Sequence, residues 1–188
     1  MSRSNIFMQL ITAAGPVVGE GLLEGWEGSI EILEFDWGMH ALKSTKKKPT
    51  TMAERAAAAA SAAGSMLGLG STVTMKMEPL SFKKRFDVGS SLMHSCLDNH
   101  IPVVSASLTL LNIKQGGRLI HQPGLVLAAT NGYFESCSLE IRDDGISKEV
   151  IESWVLNFKS IKIAYMKTMG KDNLPTAPFF YTVPSGDL

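Results

Sequence analysis

Apolar and polar side chains alternate with a period of two along much of this chain. This pattern constrains the fold most, because successive residues of a β-strand point to opposite faces. It is clearest over residues 29–38, S-I-E-I-L-E-F-D-W-G, where Leu33, Phe35 and Trp37 share one face. Further strands are predicted at residues 5–12, 72–77, 103–113, 125–130, 133–142 and 152–165. Seven strands with little helix favour a mainly β domain, either a sandwich or a small barrel.

Turn and breaker residues indicate where these strands end. Asn131-Gly132 and the sequence Q-G-G-R at residues 115–118 have the composition of tight turns, and Asn-Gly is the strongest short signal for a β-hairpin. Pro79 lacks a backbone donor for a β ladder. It therefore predicts that residues 77–86 form an edge or bulged region rather than one central strand.

One short helix is predicted where the period of two stops. Residues 87–100 begin with Asp87 as a candidate N-cap and carry apolar side chains at helical spacing, namely Leu92, Met93, Cys96 and Leu97. Ile101-Pro102 ends the segment. This helix is expected to pack on the sheet through its apolar side chains.

A second helix is predicted at residues 51–64, T-M-A-E-R-A-A-A-A-A-S-A-A-G. Thr51 and Glu54 form a capping box, the alanines have high helix propensity, and Gly64 suits the position after the helix. Alanine side chains bury little apolar area, so tertiary packing stabilises such a helix weakly. We expect a neighbouring molecule to order this insertion.

Charge is balanced over the chain but not along it. The 188 residues carry 18 basic and 18 acidic side chains, which argues against a general nucleic-acid binder. The net charge is −5 over residues 1–42, +7 over residues 43–86 and −2 over the remainder. Opposite ends of this kind suit head-to-tail stacking of identical copies, although scattered solvated charge explains the distribution equally simply.

No apolar run approaches the roughly 18 residues that span a bilayer. Residues 1–10 also lack the charged and apolar regions of a secretory signal. We therefore expect synthesis in the cytoplasm, no cleaved signal peptide and no membrane insertion. The length fits one domain over residues 1–188.

The sequence contains none of the strong motifs of catalysis or of metal binding. His94, Cys96, Asp98 and His100 crowd into seven residues, but a helix spreads such positions around its circumference. A local contact between His94 and Asp98 is the simpler expectation. The two cysteines, Cys96 and Cys137, predict buried reduced thiols. No enzyme activity and no cofactor are predicted.

Six segments of the sequence, taken in order, point to a known family. They are N-I-F-M-Q-L at residues 5–10, I-E-I-L-E-F-D-W-G-M at 30–39, P-L-S-F-K-K-R-F-D at 79–87, S-S-L-M-H-S-C at 90–96 with its H-I-P exit, S-A-S-L-T-L at 105–110 and W-V-L-N-F-K-S-I-K-I-A-Y at 154–165. Together they resemble the haemolysin-coregulated protein (Hcp) family, the inner tube subunits of type VI secretion systems. Each is weak alone, and their order and spacing make the resemblance specific.

The resemblance implies a split β-barrel of two packed antiparallel sheets with one short α-helix. Residues 41–71 would be a long inserted loop with the Ala-rich helix, and residues 167–188 an extended tail. It also implies hexameric rings that stack into a hollow tube, inside a contractile sheath and with a spike and baseplate as further partners. The tube would assemble in the cytoplasm, carry effector cargo in its lumen and leave the cell on firing.

The resemblance also suggests functional positions. The family residue between the two aromatics of the W-x-W-G-like strand faces the lumen, and here it is Asp36. Strand alternation places Glu34 on the same face, so both acids are candidates for contact with cargo; alternatively, they simply keep one sheet face wet. Candidates for contacts between subunits or stacked rings are Lys46, Lys47, Lys48, Glu54 and Arg55.

A second hypothesis is an adaptor for a secreted effector, with the same β-barrel but without tube formation. Its basic segment would contact the partner. Ring formation separates the two hypotheses, because a tube subunit is hexameric whereas an adaptor can remain monomeric. An enzyme would need a convergent polar pocket with perturbed ionisable groups.

Overall fold

The structure is a computed structural model that describes residues 5–42, 74–113, 121–143, 145, 147–169, 172–175 and 179–182. The chain divides into two compact units: Met1–Trp37 with Pro79–Leu188, which we call the barrel unit, and Gly38–Glu78, which we call the hairpin unit. The predicted Ala-rich helix and the Q-G-G-R turn lie outside the described residues.

The described residues form eleven strands and one helix. In chain order they are β1 (Ile6–Thr12), β2 (Gly15–Val17), β3 (Ile30–Asp36), β4 (Met39–Leu42), β5 (Thr74–Met77), β6 (Leu80–Arg85), α1 (Ser90–Asp98), β7 (Val103–Ile113), β8 (His121–Asp143), β9 (Lys148–Met169), β10 (Asp172–Pro175) and β11 (Phe179–Thr182). Among these residues, no helix has the length and apolar character needed to cross a membrane.

Six strands of the barrel unit form a closed ring. The order β9, β6, β3, β1, β7, β8 returns to β9 through the pairing of β8 with β9, and every pairing is antiparallel. Closure gives each of these strands a neighbour on both sides, which satisfies the backbone groups that an open edge would expose. Over the described residues, the predicted mainly β barrel with one short helix is confirmed.

The barrel is filled by side chains that alternate along the strands. Its fully buried apolar side chains include Phe82, Trp154, Met8, Leu10, Ile30, Ile32, Leu80, Leu108 and Leu111. Helix α1 packs against β8, and Met93 and Cys96 of α1 are at most 1% exposed. Burial of this apolar area, at about 25 cal/mol per Å², is the main term that stabilises the unit.

Strand β3 contains a bulge that the sequence pattern did not reveal. The register with β6 shifts between Ile32 and Glu34, so the buried Ile32 is out of phase with the predicted series of Leu33, Phe35 and Trp37. Beyond the bulge, Phe35 lies opposite Phe82, a buried core residue of β6. An extra residue in one strand changes which face its side chains occupy.

The prediction that residues 77–86 form an edge or bulged region is wrong. Strand β6 is a central strand that pairs with β3 on one side and with β9 on the other. Pro79 immediately precedes Leu80, the first residue of β6, so its missing N–H removes no bond from the ladder. The proline precedes the strand instead of interrupting it.

The predicted hairpin at Asn131-Gly132 is also wrong. The two segments predicted on either side of it form the single strand β8 of 23 residues. Asn131 does adopt the left-handed conformation, with φ of 55°, but β8 pairs with β9 on both sides of it. A Cβ on Gly132 would collide with the carbonyl oxygen of Asn157. The dipeptide therefore permits a bend and a close approach within a continuous strand.

Strand β9, with 22 residues, is nearly as long as β8, with 23. Along the edge opposite β8 it pairs with β6, with β11 and with β10. The segment predicted as an extended tail thus includes the end of β9 and the short strands β10 and β11. Phe179 and Phe180 of β11 are 41% and 65% exposed.

The hairpin unit contains the antiparallel pair of β4 and β5. Nε2 of His40, in β4, lies 2.8 Å from Oε1 of Glu78, the residue after β5. Both side chains are about half exposed or more, so this pair contributes little to stability. The strand predicted at residues 72–77 corresponds to β5.

Candidate functional site

The paired ends of β8 and β9 carry an exposed apolar surface. Pairing of β9 with β6 ends at Ile151, while β8 and β9 continue together from there to the pair of Asp143 with Lys148. Leu139, Ile141 and Val150 point to the same side of this ribbon, by the alternation of a regular ladder. They are 60%, 70% and 40% exposed, and we call them the apolar tip face.

The opposite side of the same ribbon is charged. Glu140, Arg142 and Glu149 alternate with the residues of the apolar tip face. Glu149 accepts a hydrogen bond from Nε of Arg85 at 3.2 Å. One side of the ribbon is therefore compatible with solvent. The other is apolar up to its last pair, Asp143 with Lys148, and has the composition of a surface that another molecule covers.

A buried ion pair lies on the same side of the β8–β9 ribbon as the apolar tip face, starting at Glu152, the residue opposite Leu139. Nζ of Lys84, on β6, donates to Oε2 of Glu152, on β9, at 2.7 Å, and both side chains are 0% exposed. The ammonium also donates to Oγ of Ser90 at 2.7 Å and to Oδ1 of Asp87 at 2.8 Å. Buried charges persist only when they are paired and hydrogen-bonded in this way.

Asp87 and Ser90 connect this ion pair to the start of helix α1. The N-cap is Gly89 and not Asp87 as predicted, and the helix has no side-chain cap. Oδ1 of Asp87 instead accepts the backbone N–H of Gly89 at 3.0 Å, and Oγ of Ser90 donates to Oε2 of Glu152 at 2.7 Å. The polar network therefore fixes α1 against β6 and β9.

His94 of α1 contacts the other oxygen of Glu152. Its Nε2 lies 2.8 Å from Oε1, and its ring packs on Trp154 with centroids 4.8 Å apart. The predicted contact between His94 and Asp98 is wrong, because His94 points towards β9. Burial alone raises the pKa of Glu152, but hydrogen bonds from Lys84 and Ser90 outweigh it and hold that pKa below its ordinary value.

Cys137 of β8 completes a group of three possible metal ligands. One ligand atom each from His94, Cys137 and Glu152 lies within 4.8 Å of the others. Burial and the negative charge of Glu152 raise the pKa of the Cys137 thiol to about 11, against a smaller opposing effect of Lys84. Both cysteines are free thiols; Cys96 is buried and Cys137 is partly exposed.

The structure places the two predicted lumen residues on the outside of the barrel unit. Glu34 is 67% exposed and its Oε2 lies 3.1 Å from Nζ of Lys83. Asp36 is exposed at the end of β3, opposite Ser81. The predicted contact residues Lys46, Lys47, Lys48, Glu54 and Arg55 lie outside the described residues.

Lys84, Glu152 and Cys137 were not identified from the sequence as a group. The signal for two of them was present: Lys84 is in phase with Leu80 and Phe82, and Glu152 is in phase with Trp154. A charge in phase with the apolar residues of a strand predicts a buried charge. What the alternation could not supply was the partner, which lies 68 residues away along the chain.

Of three comparisons with known proteins, the one with solved structures finds matches. No protein-family model matches the chain, and no curated protein matches it. Among solved structures it is similar to mutant Hcp1 from the E. coli EAEC 042 pathovar, with a TM-score of 0.67, 14% identity and coverage of 96% of this chain and 99% of that chain. A type six secretion system protein has a TM-score of 0.68 at 14% identity, with 95% and 96% covered.

A more distant match is found in the baseplate of the anti-feeding prophage. The TM-score is 0.52 at 8% identity, with coverage of 87% of this chain and 94% of that chain. At such identities structural similarity establishes the fold. The chain has the fold of the Hcp proteins, as the resemblance of its sequence implied.

Proposed function

We propose that this protein is a structural subunit of a type VI secretion inner tube. In this proposal six copies form a ring, and rings stack head to tail into a hollow tube that sheath contraction expels. The single observation that carries the proposal is the Hcp fold, shared over nearly the whole of both chains. The order of the sequence segments that resemble the family supports it independently.

Exposed apolar groups on the barrel unit support self-association. The apolar tip face lies at one end of the β8–β9 ribbon, and Tyr165, Phe179 and Phe180 are 41% to 65% exposed towards its other end. Large apolar side chains in groups usually mark contacts with another molecule. A ring needs two different surfaces on each copy, and these two groups provide candidates for them.

The basic run of the sequence at residues 46–48 is proposed to take part in head-to-tail stacking. Part of the acidic segment of residues 1–42 already pairs within the chain, because Glu34 lies 3.1 Å from Lys83 and Glu31 lies 4.0 Å from Arg85. The stacking contacts are therefore assigned to charges outside β6. Lys46, Lys47, Lys48, Glu54 and Arg55 are the proposed stacking contacts. Reversal of the three lysines to glutamate is expected to shorten tubes and leave rings intact, and added salt should weaken stacking in the unmodified protein.

Glu34 and Asp36 are proposed to line the lumen and to contact effector cargo. Their exposure on one face of β3 is compatible with that role. The sheath, the spike and the baseplate are the other proposed partners. Assembly would take place in the cytoplasm, and the protein would be exported on firing.

The oligomeric state tests this proposal directly. Light scattering on the purified protein should give the mass of six chains, and negative-stain images of the same sample should show rings or tubes. A strict monomer over a wide concentration range, which persists when sheath and spike proteins are added, would contradict the proposal. That outcome would favour an effector adaptor built on the same fold.

A further inference from the structure

Helix α1 and strands β8 and β9 bring an imidazole, a thiol and a carboxylate together. His94, Cys137 and Glu152 are far apart in sequence, yet their ligand atoms lie within 4.8 Å of one another. In a tetrahedral site with bonds of about 2.0 to 2.3 Å, neighbouring ligand atoms are about 3.5 Å apart. The longest separation therefore has to shorten by up to about 1.3 Å, and Nε2 of His94 has to move back from Oε1 of Glu152, now 2.8 Å away, by about 0.5 Å. Rotation of the two partly exposed side chains, His94 and Cys137, can supply both movements.

The carboxylate is already oriented for this purpose. Oε2 of Glu152 accepts hydrogen bonds from Lys84 and Ser90, each at 2.7 Å. Oε1 is left facing Nε2 of His94 at 2.8 Å. Hydrogen bonds from outside a metal's ligand set commonly hold a coordinating carboxylate in place, and Lys84 and Ser90 have that geometry.

The charges around the group also match a divalent cation. Lys84 is positive, Asp87 and Glu152 are negative, and Cys137 would be negative as a thiolate. These four charges sum to −2, so one divalent ion makes the buried cluster neutral. Lys84 contacts the oxygen of Glu152 that faces away from His94, which limits its repulsion of a bound cation.

An ion can reach the group from solvent. The side chain of His94 is 37% exposed, and Cys137 is partly exposed. Of the three candidate ligands, only Glu152 is fully buried. The entrance is thus formed by the two ligands that have to move, while the ligand that is fixed by hydrogen bonds lies deepest.

We propose that His94, Cys137 and Glu152 form a binding site for one Zn²⁺ ion, with water as the fourth ligand. Nitrogen and sulfur ligands select Zn²⁺ over Mg²⁺ and Ca²⁺, which prefer oxygen ligands. On binding, the Sγ–H bond of Cys137 breaks, a Zn–S bond forms and the proton passes to the buffer. The ion would connect α1 to β8 and β9 at the end of the barrel.

Co²⁺ is the probe that tests the site, because a Co²⁺–thiolate bond gives a charge-transfer band in the near ultraviolet. The full-length protein is treated with a chelator, reduced with a phosphine and titrated with Co²⁺, then with Zn²⁺. We expect the band to saturate at one Co²⁺ per chain and to disappear when Zn²⁺ displaces Co²⁺. Zn²⁺ should also raise the melting temperature, since it binds only the folded protein, and Mg²⁺ should not.

Matched variants identify the ligands. Cys137→Ser should abolish the band, whereas Cys96→Ala should retain it. His94→Gln should weaken Co²⁺ binding by more than about tenfold, whereas His100→Gln, in the exposed turn after α1, should leave it unchanged. Far-ultraviolet circular dichroism checks that each variant is folded.

Three results would overturn the proposal. The first is the absence of a thiolate band in the reduced, unmodified protein at excess Co²⁺. The second is a band that persists in folded Cys137→Ser. The third is equal Co²⁺ affinity in His94→Gln and His100→Gln, which would mean that the imidazole of α1 does not coordinate the ion.

Discussion

One face of the β8–β9 ribbon has two very different regions. At Glu152 the ribbon is extended sideways by β6 and its face is covered by α1, and even a charged side chain is fully buried there. Two residues further along, at Val150 and Ile141, the same face is 40% and 70% exposed. The difference is whether the chain itself supplies a cover. Where it does, the face can hold an ion pair, and where it does not, the face is suited to another molecule.

The largest expected effect comes from removal of one partner of the buried ion pair. Lys84→Met leaves Glu152 charged and buried, which should lower the free energy of unfolding by about 3 to 5 kcal/mol. Urea denaturation at fixed protein concentration measures it. Lys83→Met is the matched control, because the neighbouring lysine is partly exposed and should cost at most about 1 kcal/mol. Equal losses in the two variants would show that burial does not distinguish them.

A charge on the apolar tip face should prevent assembly without unfolding the chain. Ile141→Asp removes an apolar contact worth about 1.5 to 3 kcal/mol when buried and places a carboxylate in the proposed interface. We expect rings to be lost in light scattering while the circular dichroism spectrum stays native. Arg142→Ser, on the charged side of the same ribbon, should retain rings. Rings in Ile141→Asp would exclude this face from the interface.

The region around Glu152 should also respond to pH. The pKa of Glu152 is depressed in the folded protein, so its contribution to stability is complete above the ordinary glutamate pKa of about 4.3. The contribution is lost as pH falls from there through the folded pKa. Each unit of depression corresponds to about 1.4 kcal/mol. Urea denaturation between pH 3 and pH 6 should show a shallower decline in Glu152→Gln than in the unmodified protein.

The smallest effect is expected on the outside of the barrel. Glu34 and Lys83 form a pair at 3.1 Å, with side chains 67% and 39% exposed. Such a pair contributes about 0 to 1 kcal/mol. Glu34→Gln should therefore leave the urea midpoint nearly unchanged, and any effect should diminish in high salt. A loss comparable to that of Lys84→Met would mean that Glu34 is covered in the folded protein.

The sequence was sufficient for the type of fold and for much of the strand content, because alternation reports directly on half-buried strands. It was misleading where one residue type is compatible with two local structures. A proline such as Pro79 can precede a strand as readily as it can interrupt one, and an asparagine such as Asn131 adopts a left-handed conformation in a bend as readily as in a turn. The bulge after Ile32 had no local signal, since only the register against β6 defines it.

The polar cluster was only partly accessible to sequence analysis. The phase of Lys84 within β6 indicates burial, as does that of Glu152 within β9. Their pairing depends on the register of β6 against β9, and the approach of His94 depends on how α1 crosses the barrel. Neither is a property of a local segment, so the group of His94, Cys137 and Glu152 emerges only in three dimensions.

The closure of the barrel through β9 has a consequence for biosynthesis. β6 reaches its partner β9 only after the intervening helix and two long strands have been made, with Lys84 and Glu152 separated by 68 residues. Until β9 leaves the ribosome, the nascent chain presents two open strand edges, and Lys84 lacks the carboxylate of Glu152. Such distant contacts slow folding and expose intermediates to aggregation. Chaperone dependence during synthesis should therefore be concentrated in the interval before residue 152 is exposed to solvent.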